Sequence, residues 1–349
     1  MNSQPELGKK ALRTRGGGSF ADPDAIQLHG NDFSWSEKME ELSNDERQVV
    51  EEYLQNCEQK LARLNGESAI ASVITSSCGG SFWDSHYQMN RRHFPLKNYI
   101  ILAFPLLKTV CSSQKQGELR YVVECGCGTG STLLPLMRQF KEDVHFVGFD
   151  VSASAVSIFM EHPVAKEFAE QERLSAFAYD ITVSHERSTD EPEKTRSRTE
   201  CGGLRSALLK RAPGCGRGVD AVILVFVLSS LTTLESMVFA LKQLASVMKK
   251  DSVLLFRDYA VPDHNLFRFV KQNNGKVNEL SFCKGDGTFQ MFFELGFTKR
   301  LFALAGFEEV DGHGLQYHCN RLVNRKNGKK MDKVFINGSF RLSMNSDSK

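Results

Sequence analysis

Hydrophobic positions change their period along this chain. Upstream, Val49, Val50, Tyr53, Leu54, Cys57, Leu61 and Leu64 recur at helical spacing, and Ser43 with Glu46 forms a capping box, so the pattern predicts a helix over 43–64. Nine acids against three bases over 31–60 read that helix as a solvent-exposed lead-in. From Arg120 onward, short β-branched runs alternate with helical periods: strands at 121–124, 145–149 and 174–179, helices at 132–140 and from Ser154 to Met160. Residues 221–228 are apolar throughout, the mark of a strand buried on both faces of a parallel sheet. Leu234, Val238, Leu241, Leu244, Ala245 and Met248 then return to helical period, followed by strand signals at 253–256, 307–310 and 334–340 and a helix at 298–305 that stops at Gly306. Such alternation predicts an α/β fold built on a doubly wound sheet.

Between the third strand and the 221–228 run, residues 183–217 hold eight bases and five acids among Ser, Thr, Pro and Gly, which predicts a disordered insertion. The domain reading is therefore a disordered tail over 1–42, an N-terminal helical segment over 43–115, one domain over 116–341 and a short tail over 342–349. Within the helical segment, 81–107 is rich in aromatics and bases. Lys9, Lys10, Arg13 and Arg15 make the start of the tail basic, and Gly16 to Gly18 break any helix there.

Composition narrows the classes. A net charge of +2 from 44 bases and 42 acids excludes a polycation that coats nucleic acid, so any such partner needs a local patch. Residues 242–349 supply one, with 18 bases and 11 acids, including Arg321, Arg325, Lys326, Lys329, Lys330 and Lys333. The longest apolar runs, 99–107 and 221–228, fall far short of the roughly 18 residues needed to span a bilayer, so no membrane is expected. Nine cysteines without framework spacing point to a reducing intracellular compartment, the cytoplasm or also the nucleus in preference to a mitochondrion. His313, His318 and Cys319 lack a second cluster to complete a metal site and read as loop residues.

The sharpest chemical signal is Glu124-Cys125-Gly126-Cys127-Gly128-Thr129-Gly130 between a strand and a helix. Glycines there let a ligand approach the backbone, and the helix N-terminus offers free N–H groups. A dinucleotide fold wants Gly-x-Gly-x-x-Gly, but the third glycine arrives one residue early and Ser131 takes its place. Glu124 would also repel a pyrophosphate, whereas it suits the cationic end of S-adenosylmethionine. The string resembles motif I of class I S-adenosylmethionine-dependent methyltransferases. Asp150, at the end of the second strand, is placed to accept hydrogen bonds from ribose hydroxyls, and Asp180 with Ile181 closes the third strand where that class meets the adenine amine.

After the fourth strand the chain reads Phe226-Val227-Leu228-Ser229-Ser230, without the Asn- or Asp-Pro-Pro-aromatic string of exocyclic-amine methyltransferases. A ring nitrogen with an in-plane lone pair needs no general base, so catalysis there is alignment and desolvation. Further strings carry a more specific resemblance: Phe82-Trp83-Asp84 with Tyr87, 222–229, Leu254-Leu255-Phe256-Arg257-Asp258-Tyr259 with Asp263 and Arg268, Gly285-Asp286-Gly287-Thr288 with Phe292-Phe293, and Val323-Asn324-Arg325-Lys326 before Val334-Phe335. Together they resemble the tRNA 3-methylcytidine methyltransferase family over roughly residues 80–341. The resemblance implies a class I, Rossmann-like, seven-stranded doubly wound sheet with an N-terminal helical extension, and methyl transfer to N3 of a cytidine in the anticodon loop of certain tRNAs. It implies S-adenosyl-L-methionine held by Trp83, Tyr87, Gly126, Asp150, Asp180, Ile181 and Val225, to which the glycine loop itself adds Glu124 and Gly128; Arg257, Asp258 and Tyr259, at the carboxyl end of the fifth strand on the ligand-binding rim, are the candidates for holding the flipped cytosine. The implied partners are tRNA and an aminoacyl-tRNA synthetase or other tRNA-presenting protein. Lys284 and Phe289 flank the glycine motif where the family pattern carries arginines, which bears on tRNA contacts. A small-molecule methyltransferase of the same fold and a non-catalytic partner subunit stay open as alternatives.

Overall fold

The computed structural model describes residues 28, 30–64, 80–90, 95–112, 118–183, 203–272, 275–323, 328 and 330–343. Among the described residues five helices precede the sheet: α1 Trp35–Glu40, α2 Asn44–Leu64, α3 Gly80–Met89, α4 Ile100–Ala103 and α5 Pro105–Ser112. Then β1 Arg120–Cys125, α6 Leu133–Gln139, β2 Val144–Asp150, α7 Ala153–Glu161, α8 Pro163–Glu170 and β3 Leu174–Ala178 follow in turn. Next come α9 Leu204–Arg211, β4 Val219–Val225, α10 Leu234–Ala245, β5 Met248–Tyr259 and α11 His264–Lys271. Strands β6 Phe282–Cys283 and β7 Phe289–Gln290, helix α12 Leu295–Ala303, and strands β8 Phe307–Glu309, β9 Gln316–Val323 and β10 Lys330–Leu342 complete the chain.

The main sheet runs β3-β2-β1-β4-β5-β10-β8, with β9 paired to β10 as an eighth strand beyond the seven expected. Strands β1 to β5 are parallel, and β10 runs antiparallel to β5, β8 and β9. The order reverses between β1 and β4, and at such a switch point ligands bind beyond the carboxyl ends of the strands.

Alternation along the buried strands feeds two cores. Val222, Leu224, Leu254 and Phe256 face α2, α9, α10 and α12, while Ala221, Ile223, Val225 and Leu255 face α4 to α8. Because successive side chains point to opposite faces, both faces need helices, which explains the unbroken apolar run in β4.

Three expectations are corrected. Helix α2 is no exposed lead-in: Val50, Tyr53, Cys57, Leu61 and Leu64 are buried, although the capping pair Ser43 and Glu46 forms as read, Glu46 N donating to Ser43 Oγ at 3.3 Å. The end of the 1–42 tail is ordered. Asp32 N donates to Cys319 O at 2.8 Å, and Trp35 stacks on Tyr317 at 5.1 Å and donates to Val261 O, so this segment covers the free edge of β9, the strand that carries His318 and Cys319. Of the 183–217 insertion, 184–202 lies outside the described residues, but Leu204–Arg211 forms α9, with Leu204, Ala207 and Leu208 buried against the α10 side of the sheet. Its sparse apolar residues fall on one helical face, too few to register in a charge-rich window. The basic start of the tail and 344–349 lie outside the described residues, as do Asn324, Arg325, Lys326 and Lys329. No helix among the described residues is long and apolar enough to cross a membrane.

Candidate active site

At the carboxyl ends of β1 to β4 a pocket of about 800 Å³ opens, lined among others by Trp83, Tyr87, Gly126, Gly128, Asp150, Asp180, Ile181, Val225 and Phe226. Its floor is the glycine loop. Gly126 N and Cys127 N donate to Phe149 O at 2.8 and 3.0 Å, which folds the loop back over the end of β2. Asp150 then receives Gly128 N on Oδ2 at 2.8 Å and Ser152 N on Oδ1 at 2.9 Å. Burial pushes its carboxyl up to about 6, and those two N–H donors pull the other way. Asp180 takes Thr182 N and Thr182 Oγ1 on Oδ1, at 2.9 and 2.6 Å. Its Oδ2 is buried without a partner, an acceptor aimed at whatever fills the pocket.

The roof is α3. Asp84 accepts Ser152 Oγ at 2.8 Å and Ser154 N at 2.9 Å, which fastens the helix to the first turn of α7. That register brings Trp83 and Tyr87 over the glycine loop, their rings stacked at 6.0 Å. Gly128, at φ +51°, lies so close that an added Cβ would sit 2.6 Å from Tyr87 Oη, so only glycine admits the roof.

The structure thus brings together eight of the nine cofactor residues read from the sequence and sets the ninth, Glu124, behind the lining. Glu124 is buried with Oε2 unpartnered, and desolvation raises its carboxyl to about 7 against the pull of the Lys97 ammonium. Lys97, read from the sequence only as one of the bases of 81–107, lines the pocket, donates to Ser131 Oγ and to Thr132 Oγ1, and has its pKa lowered by burial.

Arg257, Asp258 and Tyr259 do not line the pocket, a correction to their assignment as cytosine holders. They belong to β5 itself, so alternation sends Arg257 and Asp258 to opposite faces, and both are buried. Arg257 donates to Asn337 Oδ1 and lies 4.4 Å from the Phe335 ring. Asp258 accepts Ser229 N at 3.0 Å and Tyr259 N at 2.8 Å, and burial lifts its carboxyl to about 6. Arg257 and Tyr259 brace the missed residue, Phe226. Its ring lines the pocket, packs at 4.8 Å from Tyr259 and 5.6 Å from Phe335, and its backbone is held at φ +61°. A bulky residue in that region is strained, and such strain concentrates at functional sites. The sequence signal was the aromatic that directly follows β4.

With this geometry in place, a methyltransferase-domain family model matches residues 123–254. The mouse tRNA N(3)-cytidine methyltransferase METTL6 is 30% identical over 262 residues, 74% of this chain and 79% of that protein. The tRNA N(3)-methylcytidine methyltransferase Mettl2 of Drosophila melanogaster is 28% identical over 263 residues, 74% of this chain and 70% of its own. A solved S-adenosylmethionine-dependent methyltransferase from Anabaena variabilis shares the fold at a TM-score of 0.50 and 12% identity, over 77% of this chain and 98% of that one. The cofactor is accordingly S-adenosylmethionine, and the residues present fit it: an orphaned acceptor on Asp180, an acid at the end of β2, and aromatic faces above a glycine loop.

Proposed function

Because this chain belongs to the family of tRNA N(3)-cytidine methyltransferases, we propose that it transfers a methyl group to N3 of a cytidine in the anticodon loop of tRNA. S-adenosylmethionine supplies the methyl on an electrophilic sulfonium. The observation that carries the reading is the wall beyond β4, where Phe226, Val227, Ser230 and Leu231 line the pocket. That wall offers a ring face, apolar contact and one hydroxyl, and Ser230 Oγ spends its proton on Val227 O at 2.6 Å, so its lone pairs are left to accept from an amine. A nucleophile with its lone pair already in the ring plane asks for nothing more than alignment and exclusion of water. A splayed-out base stacks on an aromatic face, and Phe226 provides one, braced from behind by Tyr259 and Phe335.

Asp150 receives the ribose hydroxyls, Asp180 Oδ2 the adenine amine, and Glu124 offsets the cationic end of the cofactor. Gly126 and Gly128 let it lie against the backbone, Ile181 and Val225 flank it, and Trp83 and Tyr87 cover it. The net charge of +2 favours modest intrinsic affinity for tRNA and therefore a protein, such as an aminoacyl-tRNA synthetase, that presents the substrate.

Incubating the protein with deproteinised total tRNA and labelled cofactor, with and without cell extract, tests the reading. Labelled 3-methylcytidine in the nucleoside digest is expected. Its absence in both arms would overturn the assignment, and its appearance only with extract would bear out the need for a presenting protein.

A further inference from the structure

The loop between β6 and β7 grips the roof at several points. Its turn is closed internally: Gly287 N donates to Lys284 O at 2.9 Å, Lys284 N to Thr288 O at 2.8 Å, and Thr288 N and Oγ1 to Asp286 Oδ1 at 3.1 and 2.6 Å. From this closed turn, Asp286 Oδ2 lies 3.0 Å from His86 Nδ1 of α3, and Phe289 meets Phe82 edge-on at 6.1 Å. A Cβ at Gly287 would stand 2.6 Å from the Phe82 ring. Between these contacts, Lys284 Nζ sits 5.2 Å from the centroid of Trp83, the roof residue stacked on Tyr87.

We propose that Lys284 is a positioning residue, whose ammonium holds the Trp83 indole over the cofactor pocket by a cation–π contact. The proposal rests on the reading that Trp83 covers the cofactor. A lysine beside the glycine motif would ordinarily be assigned to a tRNA phosphate. Here the side chain is turned inward, and Asp286 and Asp258 lie close enough to act as its counter-charges, opposed by Arg268. A phosphate would have to compete with two carboxylates for a half-buried ammonium. Lys284 and Phe289, the two departures from the family's arginines, therefore both touch α3, one on Trp83 and one on Phe82.

The chain contains two tryptophans, Trp35 and Trp83, so in the full-length Trp35→Phe protein Trp83 is the sole fluorescent indole. In that background, titration with S-adenosylmethionine read by fluorescence and calorimetry should show Lys284→Met weakening the Kd about tenfold, with a shifted Trp83 emission, because Met keeps the stem and loses the charge. Lys284→Arg should restore both. At saturating cofactor, the KM for tRNA of Lys284→Met should stay within about twofold. An unchanged cofactor Kd, or a defect confined to the KM for tRNA, would overturn the proposal. Should Lys284→Met fail to fold, Lys284→Gln carries the same comparison. Trp83→Ala separates the two layers. If it weakens the cofactor while Lys284→Met does not, only the role of Lys284 falls; if it has no effect, the cover reading falls and takes this inference with it.

Discussion

At the floor of the pocket, Asp150 and Asp180 stand at the ends of neighbouring parallel strands, and each is oriented by a donor only two residues further along the chain, Ser152 N and Thr182 N. The roof and the far wall are assembled differently. Helix α3 reaches the loop at 284–288 across about 200 residues of sequence, and Phe226 leans on Tyr259 and Phe335 from two other strands. A floor made of strand-end turns is fixed as soon as the sheet forms, whereas a roof made of remote contacts is fixed only when separate segments dock. Substitutions in the floor should therefore act on the cofactor alone, and those in the wall on the substrate alone.

The sharpest test of that division is Asp150→Ala. Losing two charge-assisted hydrogen bonds to a ribose at roughly 1.5–3 kcal/mol each should weaken S-adenosylmethionine binding by about 100-fold or more. Calorimetry reads the affinity and circular dichroism confirms the fold. Retained binding would mean that Asp150 serves only to order Gly128 and Ser152. The wall counterpart is Phe226→Ala. Loss of base stacking, about 1–3 kcal/mol per base, should lower kcat/KM for tRNA roughly 10- to 100-fold while the cofactor Kd moves less than about twofold. Phe226→Gly should be equally slow yet more stable than Phe226→Ala, because glycine adopts φ +61° without strain. If either variant shifts the cofactor Kd as much as the turnover, floor and wall are not separate.

How much of this was legible in the sequence follows the same division. The glycine loop, Asp150 and Asp180 could be found because each pairs a strand end with its own next residues, so the signal lies within a few positions. Phe226 was visible as the aromatic after β4, but its strained backbone depends on Tyr259 and Phe335, and nothing nearby in sequence announces them. Arg257 and Asp258 were placed at the substrate because they stand at the end of a strand signal that stops at 256. The strand continues to Tyr259, and pleating then buries both. The ordering of Trp35 was invisible for a related reason: its partner Tyr317 lies on a strand with no clear alternation, burial there running exposed and intermediate before two buried residues.

A smaller effect concerns pH. Burial raises Asp150 to about 6 and Glu124 to about 7, well above unfolded carboxyls at 3.8 and 4.5. Between the unfolded and folded values the native protein binds more protons than the unfolded chain, so these groups favour folding below that window and lose the contribution as pH rises through 6 to 7. Cofactor binding should run the opposite way, because a sulfonium and two ribose hydroxyls prefer the ionised acids. The cofactor Kd is expected to tighten about tenfold from pH 5 to pH 7 and then level off, while the melting temperature of the ligand-free protein declines over the same range. A flat Kd would show that these carboxylates are ionised throughout and that the floor is wetter than its burial indicates.

The smallest effects concern α2, where an apolar face and a charged face can be weighed against each other. Tyr53 is buried, donates to Leu280 O at 2.8 Å and accepts from Phe292 N at 2.9 Å, so it ties the helix to both sides of the β6–β7 hairpin. Tyr53→Phe keeps the ring and removes both bonds, leaving buried backbone groups short of a partner at a cost of about 1–3 kcal/mol. Along the same helix, Lys60 pairs with Glu279 at 2.9 Å and Glu58 with Arg300, and both pairs are substantially exposed. Exposed pairs contribute little, so Lys60→Ala and Arg300→Ala should each change stability by no more than about 0.5 kcal/mol. Chemical denaturation of the three variants at low and moderate salt decides between the faces. If Lys60→Ala cost as much as Tyr53→Phe and the cost vanished with salt, α2 would be clamped by charge, and the hairpin that carries the 284–288 loop would answer to ionic strength. If Tyr53→Phe dominates at both salts, α2 is a fixed part of the core, and through that hairpin it sets where the loop meets the roof.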